Sequence, residues 1–74
     1  QVAIHPREVI KLAMEKKAAA LILVHNHPSG DVKPSRADVE ITKQIDQALK
    51  SINIQLLDHI VISRYDYCSI KTML

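Results

Sequence analysis

The sequence predicts a small α/β domain with elements in the order β-α-β-α-β-β. Three observations carry this prediction: one unbroken apolar run, two segments with helical apolar spacing, and a final apolar segment rich in β-branched residues. The chain has 74 residues, of which 47% are apolar and 24% charged. These values are typical of one globular domain. Strands that alternate with helices indicate helices packed on a mixed sheet.

The first two elements are an extended segment and a helix. Residues 1–4 are predicted to be extended. A helix is predicted from Pro6 to Lys17, because proline suits the first helical position and the two final lysines match the helix dipole. His5 is predicted to help cap this helix. The predicted apolar stripe comprises Val9, Ile10, Leu12, Ala13 and Met14.

The run from Ala18 to Val24 reads AAALILV and is predicted to be a strand buried on both faces. Residues i and i+2 of a strand share a face. If the extended conformation continues through Asn26, His25 and His27 therefore project side by side. Gly30, the only glycine in the chain, lies in the loop that follows and is predicted to supply a positive φ.

A second helix is predicted from about Arg36 to Ser51. Its predicted buried stripe comprises Ile41, Ile45, Ala48 and Ile52, and its predicted wet side comprises Glu40, Lys43, Gln47 and Lys50. Asp38 also lies on the inward stripe. An ionised aspartate that points inward needs a partner.

Two strands are predicted at the end of the chain. The first runs from Ile54 to Ser63. A second runs from Tyr65 to Lys71 and pairs with the first through a turn at residues 64–66. His59 is predicted to be a core residue or to support the site from behind its ligands. Asp58 is predicted to be able to orient a ligand imidazole, as carboxylates behind metal ligands do. Cys68 is predicted to be a small buried apolar residue.

The charge and cysteine content exclude several classes of protein. The net charge of +2, with a pI near 8.9, is too weak to favour a nucleic-acid partner. One cysteine fits a reducing compartment, and no apolar run reaches the roughly 18 residues of a membrane span. We therefore expect a cytoplasmic chain with no membrane partner. Both ends look cut, so we expect a piece of a longer protein whose exposed sheet edge favours self-association into a homo-oligomer.

The stretch HNHPSGDVKPSRAD carries the residues that point to a function. His25 and His27 are two positions apart, seven residues follow before Ser35, and Asp38 comes three positions later. Two imidazoles and a carboxylate suit zinc, and three protein ligands leave one tetrahedral position that a water can fill. Zinc lowers the pKa of such a water and makes it a nucleophile near neutral pH. Manganese and iron are compatible with the same ligand types.

Two simpler interpretations compete with a metal site. Ser-x-x-Asp before an apolar-striped helix is typical of a capping box, in which Ser35 caps the helix and Asp38 reaches back. The two histidines can also be loop residues that hydrogen-bond the backbone. Their position at the end of a buried strand favours a site, because ligands of open α/β sheets bind at that end. Ser35 can cap the helix and still serve the site.

The same stretch resembles the JAMM motif (also called MPN or JAB) of zinc metalloproteases, His-x-His, seven residues, Ser-x-x-Asp, without a gap. The segments HPREV, AAALILVHNHPSGD and LLDHIVIS are similar to the RadC family, long labelled DNA repair proteins. The resemblance implies a cytidine-deaminase-like fold, a mixed sheet with flanking helices. It implies zinc held by His25, His27 and Asp38, with Ser35 as a catalytic residue that stabilises the oxyanion. The implied reaction is hydrolysis of peptide or isopeptide bonds in a peptide or protein substrate.

One departure from the family bears on activity. The family's general base is a glutamate on a strand upstream of the histidine pair, and Gln1 begins too late to include it. Glu8 and Glu15 lie in the first predicted helix, where the family's base does not sit. We therefore expect residues 1–74 to form a partial domain that holds the site and turns over slowly or not at all, since proton transfer contributes ~10²–10⁴-fold. A DNA-repair-associated factor, which steep salt-dependent DNA binding would reveal, and a non-catalytic scaffold that binds a partner remain as alternatives.

Overall fold

The computed structural model of the chain describes residues 4–74. The elements are α1 (Pro6–Glu15), β1 (Ala20–Asn26), α2 (Arg36–Ser51), β2 (Gln55–Ile62), β3 (Tyr67–Ser69) and a 3-10 helix at Lys71–Met73. The sheet order is β1-β2-β3, with β1 parallel and β3 antiparallel to β2. A mixed α/β fold with two helices is thus confirmed. The extended segment predicted for residues 1–4 falls almost wholly outside the described residues.

One aliphatic cluster joins both helices to the sheet. It contains Ala13 of α1, Ile45 and Leu49 of α2, and Ile54 and Leu56 around the start of β2. Full burial of one such leucine or isoleucine side chain contributes about 1.5–3 kcal/mol. The cluster anchors the C-terminal half of α2 on the sheet and so places its first turn beside the end of β1.

The helix α1 ends at Glu15, two residues before the predicted end. Lys17 has a φ of 53°, and the N–H of Ala18 donates to the carbonyl of Ala13 at 3.0 Å. This is a Schellman closure, in which a left-handed residue stops the helix, so Lys16 and Lys17 lie beyond the last turn. His5 occupies the N-cap position, but its side chain makes no capping hydrogen bond. His5 is therefore at the predicted N-cap position, but its imidazole does not cap the helix.

The strand β1 has only one buried face, so the predicted burial on both faces is wrong. Leu21 and Leu23 pack against the aliphatic cluster, whereas Ile22 is 52% exposed and Val24 63% exposed. Within residues 4–74 nothing covers that second face. Among the described strands β1 is also an edge of the sheet, and self-association through this edge stays a prediction. None of the helices in residues 4–74 combines the length and apolar character needed to cross a membrane.

The helix α2 begins and ends at the predicted residues, but its buried stripe is rotated. The buried positions are Asp38, Thr42, Ile45, Asp46 and Leu49, which follow the helical spacing i, i+4, i+7, i+8 and i+11. The expected members Ile41 and Ala48 are only half-buried, and Ile52 is exposed. Apolarity alone suggested Ile41, whereas Thr42 lies inside because its hydroxyl bonds a buried histidine. The four predicted wet-side residues are exposed.

The strand β2 lies within its predicted range, and its register brings His59 to the buried face. A β-bulge shifts the pairing, so that Leu21 pairs with Leu56 and Ile22 with Asp58. Two inward residues of β2, Leu56 and His59, are thereby three positions apart instead of two. The strand β3 is shorter than predicted and Cys68 is half-buried, because β3 is the other edge of the described sheet.

Asp46 ties the end of the chain to α2. Its Oδ1 lies 3.2 Å from Lys71 Nζ, and its Oδ2 lies 3.2 Å from Lys50 Nζ. Burial opposes the charged form of Asp46, but hydrogen bonds from the two lysines outweigh this effect and lower the pKa of the carboxyl. The contribution of Asp46 to stability must therefore depend on pH.

Replacing this carboxylate by an amide, Asp46→Asn, should lower the free energy of unfolding at pH 7 by about 1 kcal/mol. Because the folded-state pKa is lowered, the stabilisation is present above the unfolded-state pKa of about 3.9. It is lost as the pH falls through the folded-state pKa. Urea unfolding at several pH values should thus show the variant and parent converge in acid. The matched control is Glu40→Gln, an exposed partner of Lys43; a cost at Asp46 that is independent of pH would contradict the assignment.

Candidate metal centre

The end of β1 and the first turn of α2 bring three predicted ligands together. His25 is the penultimate residue of β1, and the N–H of His27 donates to the carbonyl of Ile62 at 2.8 Å, so strand pairing continues past Asn26. The rings of His25 and His27 lie side by side with centroids 4.6 Å apart and planes at 83°. The expectation that both imidazoles project from the same face is confirmed.

Asp38 faces both imidazoles from α2. Its Oδ1 lies 4.0 Å from His25 Nδ1, and its Oδ2 lies 3.8 Å from His27 Nε2. One donor atom from each of the three residues lies within 4.8 Å of the others. Two donors of a tetrahedral zinc with bonds of 2.0–2.1 Å are about 3.3 Å apart. The three side chains therefore need only a small contraction to share one cation.

The capping box and the ligand cluster use the same carboxylate. The N–H of Ser35 donates to Asp38 Oδ2 at 2.8 Å, and the N–H of Asp38 donates to Ser35 Oγ at 3.0 Å. The capping interpretation is thus confirmed. It is compatible with a metal site, because a carboxylate offers about four lone-pair positions. Burial raises the cost of charging Asp38, but bonding from Ser35 and the nearby histidines outweigh it and lower the pKa of this carboxyl. Asp38 is therefore ionised near neutral pH.

The loop after β1 sets the tautomer of His27. Its Nδ1 lies 2.9 Å from the carbonyl oxygen of Asp31. A carbonyl can only accept, so Nδ1 carries a proton, and in the neutral ring it is Nε2 that presents a lone pair toward Asp38. Gly30 makes this return of the chain possible with a φ of 92°, which confirms the predicted role of the glycine. A backbone carbonyl behind one ring nitrogen is the usual support of a metal-binding histidine.

Three nitrogens of the cluster lack a hydrogen-bond partner among the described residues. They are Nδ1 and Nε2 of His25 and Nε2 of His27, and all three are buried. An unpaired buried polar group costs about 1–3 kcal/mol, so several at one point indicate a partner other than the protein itself. Two imidazole nitrogens and a carboxylate form a donor set that zinc accepts. The residues present therefore fit a zinc ion.

Behind the ligands lie Thr42 and His59. Thr42 Oγ1 donates to the carbonyl of Asp38 at 2.6 Å and lies 2.7 Å from His59 Nδ1. His59 is 0% exposed, as its predicted core position requires. Burial and the neighbouring His25 lower the pKa of His59, and the smaller effects of Asp38 and Asp58 oppose this. Sequence reasoning missed Thr42, although its position four residues after Asp38 on the inward stripe was a usable signal.

Asp58 does not orient a ligand imidazole, so that prediction is wrong. Its Oδ1 accepts from Ser69 Oγ at 2.7 Å and from the backbone N–H of His59 at 2.7 Å. The side chain points away from the three ligands because Asp58 pairs with Ile22, on the face of the sheet opposite His59. It holds β3 against β2 instead.

A cleft of about 630 Å³ opens beside the three ligands. Its lining includes His27 and Asp38, the hydroxyl-bearing Ser35, and three charged residues, Asp31, Lys33 and Arg36. No glutamate lines the described part of the cleft; Glu8 and Glu15 are exposed on α1. Two of the three ligands, His27 and Asp38, thus lie at the wall of an open cleft together with Ser35.

These features define an α/β domain that presents a candidate zinc site at the carboxyl end of a parallel strand. The family model of the RadC-like JAB domain matches residues 1–73, and the chain belongs to this family. A UPF0758 protein of Syntrophomonas wolfei subsp. wolfei is 54% identical over 68 residues, which cover 92% of this chain and 29% of the relative. A UPF0758 protein of Finegoldia magna is 51% identical over 71 residues, which cover 96% and 32%. The chain thus spans about a third of the length of these curated relatives.

Removing the buried hydroxyl of Thr42 should destabilise the domain. Thr42→Val keeps the side-chain volume but leaves His59 Nδ1 without a partner, so we expect a loss of about 1–3 kcal/mol in the free energy of unfolding. The matched control is Thr72→Val. Thr72 is exposed and its hydroxyl bonds the carbonyl of Ser69, so water can replace that bond at a cost of about 0.5 kcal/mol or less. Equal costs in chemical denaturation would show that the contact of Thr42 with His59 contributes nothing.

Proposed function

We propose that this chain is a JAMM-type zinc-binding domain that serves the hydrolysis of peptide or isopeptide bonds within a longer protein. Membership of the RadC-like JAB family supports the proposal. The observation that carries it is the convergence of two unpartnered buried imidazole nitrogens, one from His25 and one from His27, and the carboxylate of Asp38. In this proposal His25, His27 and Asp38 are the zinc ligands.

Asp38 and His27 have the protonation that binding of a metal requires. Asp38 is ionised, and its carboxylate is held by the backbone N–H of Ser35. His27 has its proton on Nδ1, committed to the carbonyl of Asp31, and its Nε2 is bare. When bound, zinc supplies Lewis acidity toward a carbonyl oxygen and a nucleophile near neutral pH. The neighbouring cleft would receive the amide to be cleaved.

Ser35 is proposed to stabilise the oxygen that becomes negative during hydrolysis. Its Oγ accepts the N–H of Asp38, so its own proton is not needed for the cap and can be donated to a substrate. The residue is exposed and lines the cleft, which satisfies the requirement of contact. A hydrogen-bond donor aimed at developing charge is typically worth 10²–10³-fold in rate.

We further propose that turnover needs a general base that residues 4–74 do not supply. Hydrolysis of an amide requires a group that takes a proton from the nucleophile and delivers it to the leaving amine. No glutamate lines the described part of the cleft. Asp38 is committed to the capping box and faces both imidazoles, so it is poorly placed for this role.

Zinc binding itself can be tested on this chain. Titration with zinc, followed by calorimetry and metal analysis, should give one ion per chain. His25→Ala and Asp38→Asn should each abolish it, because each removes one of three donor atoms. His5→Ala is the matched control: His5 is an exposed histidine at the start of α1, and its removal should change nothing. Binding that survives the loss of His25 would refute the ligand assignment.

Catalysis is best tested in the full-length Syntrophomonas wolfei relative. Cleavage of peptide and isopeptide reporters should be lost with a chelator and restored by zinc. Alanine in place of the serine that corresponds to Ser35 should lower the rate about 10²-fold and leave zinc affinity unchanged. A protein that binds zinc and cleaves neither reporter would instead support the non-catalytic scaffold.

A further inference from the structure

His59 is a buried titratable residue that the proposed ligand set does not use. It is 0% exposed, and its Nε2 has no hydrogen-bond partner among the described residues. A fully buried imidazole with an unpaired nitrogen costs stability, whereas a leucine of similar size would not. Packing alone therefore does not explain a histidine at position 59.

The contacts of Thr42 assign the proton of His59. The hydroxyl of Thr42 has one proton, and its Oγ1 lies 2.6 Å from the carbonyl oxygen of Asp38, which can only accept. That proton is therefore committed to Asp38. The second contact of Oγ1, at 2.7 Å from His59 Nδ1, must then have the imidazole as donor. Nδ1 carries the proton, and Nε2 of the neutral ring presents a bare lone pair.

His25 has a buried ring nitrogen that lacks a hydrogen-bond acceptor. Its Nδ1 is the nitrogen within 4.0 Å of Asp38 and is therefore the atom that would bind zinc. With Nδ1 engaged in this way, the proton of the ring is on Nε2. Both ring nitrogens are buried and unpaired within residues 4–74. A histidine that binds a metal through one nitrogen nearly always donates the other N–H to a fixed acceptor. His27 uses the carbonyl of Asp31 in this way, but His25 has no backbone carbonyl within hydrogen-bond range.

The imidazole rings of His25 and His59 lie close together. Their planes are 24° apart and their centroids are separated by 5.9 Å, so the rings are near-parallel neighbours. An N–H···N bond between imidazoles, with nitrogens about 2.9–3.0 Å apart, needs centroids about 5 Å apart. An approach of about 1 Å, with the two Nε2 edges turned toward each other, would join a buried donor to a buried acceptor and satisfy both.

We propose that His59 is a positioning residue whose Nε2 accepts a hydrogen bond from Nε2–H of His25. This bond holds the His25 ring with Nδ1 directed at Asp38. Together with Thr42, it forms a chain from the ligand imidazole through His59 to the backbone of the first turn of α2. The inference rests on the proposed function only in taking His25 as a zinc ligand.

The test uses this 74-residue chain, labelled with ¹⁵N, and zinc alone as the probe. Long-range ¹H–¹⁵N spectra of the zinc-free chain should show His59 protonated on Nδ1, and spectra of the zinc-bound chain should show His25 protonated on Nε2. Zinc affinity is then measured by competition with a chelator. His59→Leu removes the acceptor and should weaken zinc binding about 10–100-fold. His59→Gln places an amide oxygen near the position of Nε2 and should recover most of that loss.

Ile45→Val is the control for a merely structural effect, because it trims the core at a buried residue of α2 and leaves every polar group in place. It should cost about 0.5–1.5 kcal/mol of stability without changing zinc affinity. Equal zinc affinity of the parent and His59→Leu would overturn the proposal, as would a proton on His59 Nε2. If circular dichroism shows that the His59→Leu variant does not fold, the ¹H–¹⁵N spectra and the zinc affinity of His59→Gln decide whether the proposal holds.

The two proposals fail separately. If the parent chain takes up no zinc, the proposed function falls, while the tautomer of His59 in the zinc-free chain still decides whether its Nε2 can act as an acceptor. If the parent takes up zinc and the acceptor at position 59 has no effect, the ligand set stands and the positioning role falls.

Discussion

The buried carboxylate of Asp38 is the constraint on which the rest of the structure depends. A charge placed inside so small a domain must be paired or hydrogen-bonded. Asp38 meets this need through the backbone N–H of Ser35, and its two oxygens lie 4.0 Å from His25 Nδ1 and 3.8 Å from His27 Nε2. The beginning of α2 and the end of β1 are therefore positioned by the same group. The capping box and the ligand cluster are two uses of one geometry.

The interior of the domain is divided between an aliphatic and a polar half. The aliphatic half lies around Ile45 and Leu49 and holds α2 on the sheet. Toward the N-terminus of α2, the inward stripe changes to Thr42 and Asp38, which face His59 and the ligand histidines. This arrangement sacrifices hydrophobic burial at one end of the helix for a set of fixed donors and acceptors. Such a loss of stability at a site is a common feature of functional regions.

The sheet is covered on only one face at β1. One face of β1 carries Ile22 and Val24, which are both more than half exposed. The site is at the carboxyl end of the same strand, so whatever meets that face also bears on the position of His25. The ligand geometry does not depend on such a contact, because strand pairing with β2 extends through His27.

The sequence alone determined the features that depend on local order. The spacing of His25, His27, Ser35 and Asp38, the start of α2 and the turn at Gly30 all follow from near-neighbour chemistry: side-chain alternation in a strand, a capping box and a residue free to adopt positive φ. The tertiary structure decided what depends on distant partners. Thr42 replaced Ile41 in the buried stripe because its hydroxyl meets His59, 17 positions away in the sequence. Asp58 faces away from the ligands because a bulge and the pairing of three strands set which face it occupies. The second face of β1 is open because an apolar run specifies a strand but not what packs on it.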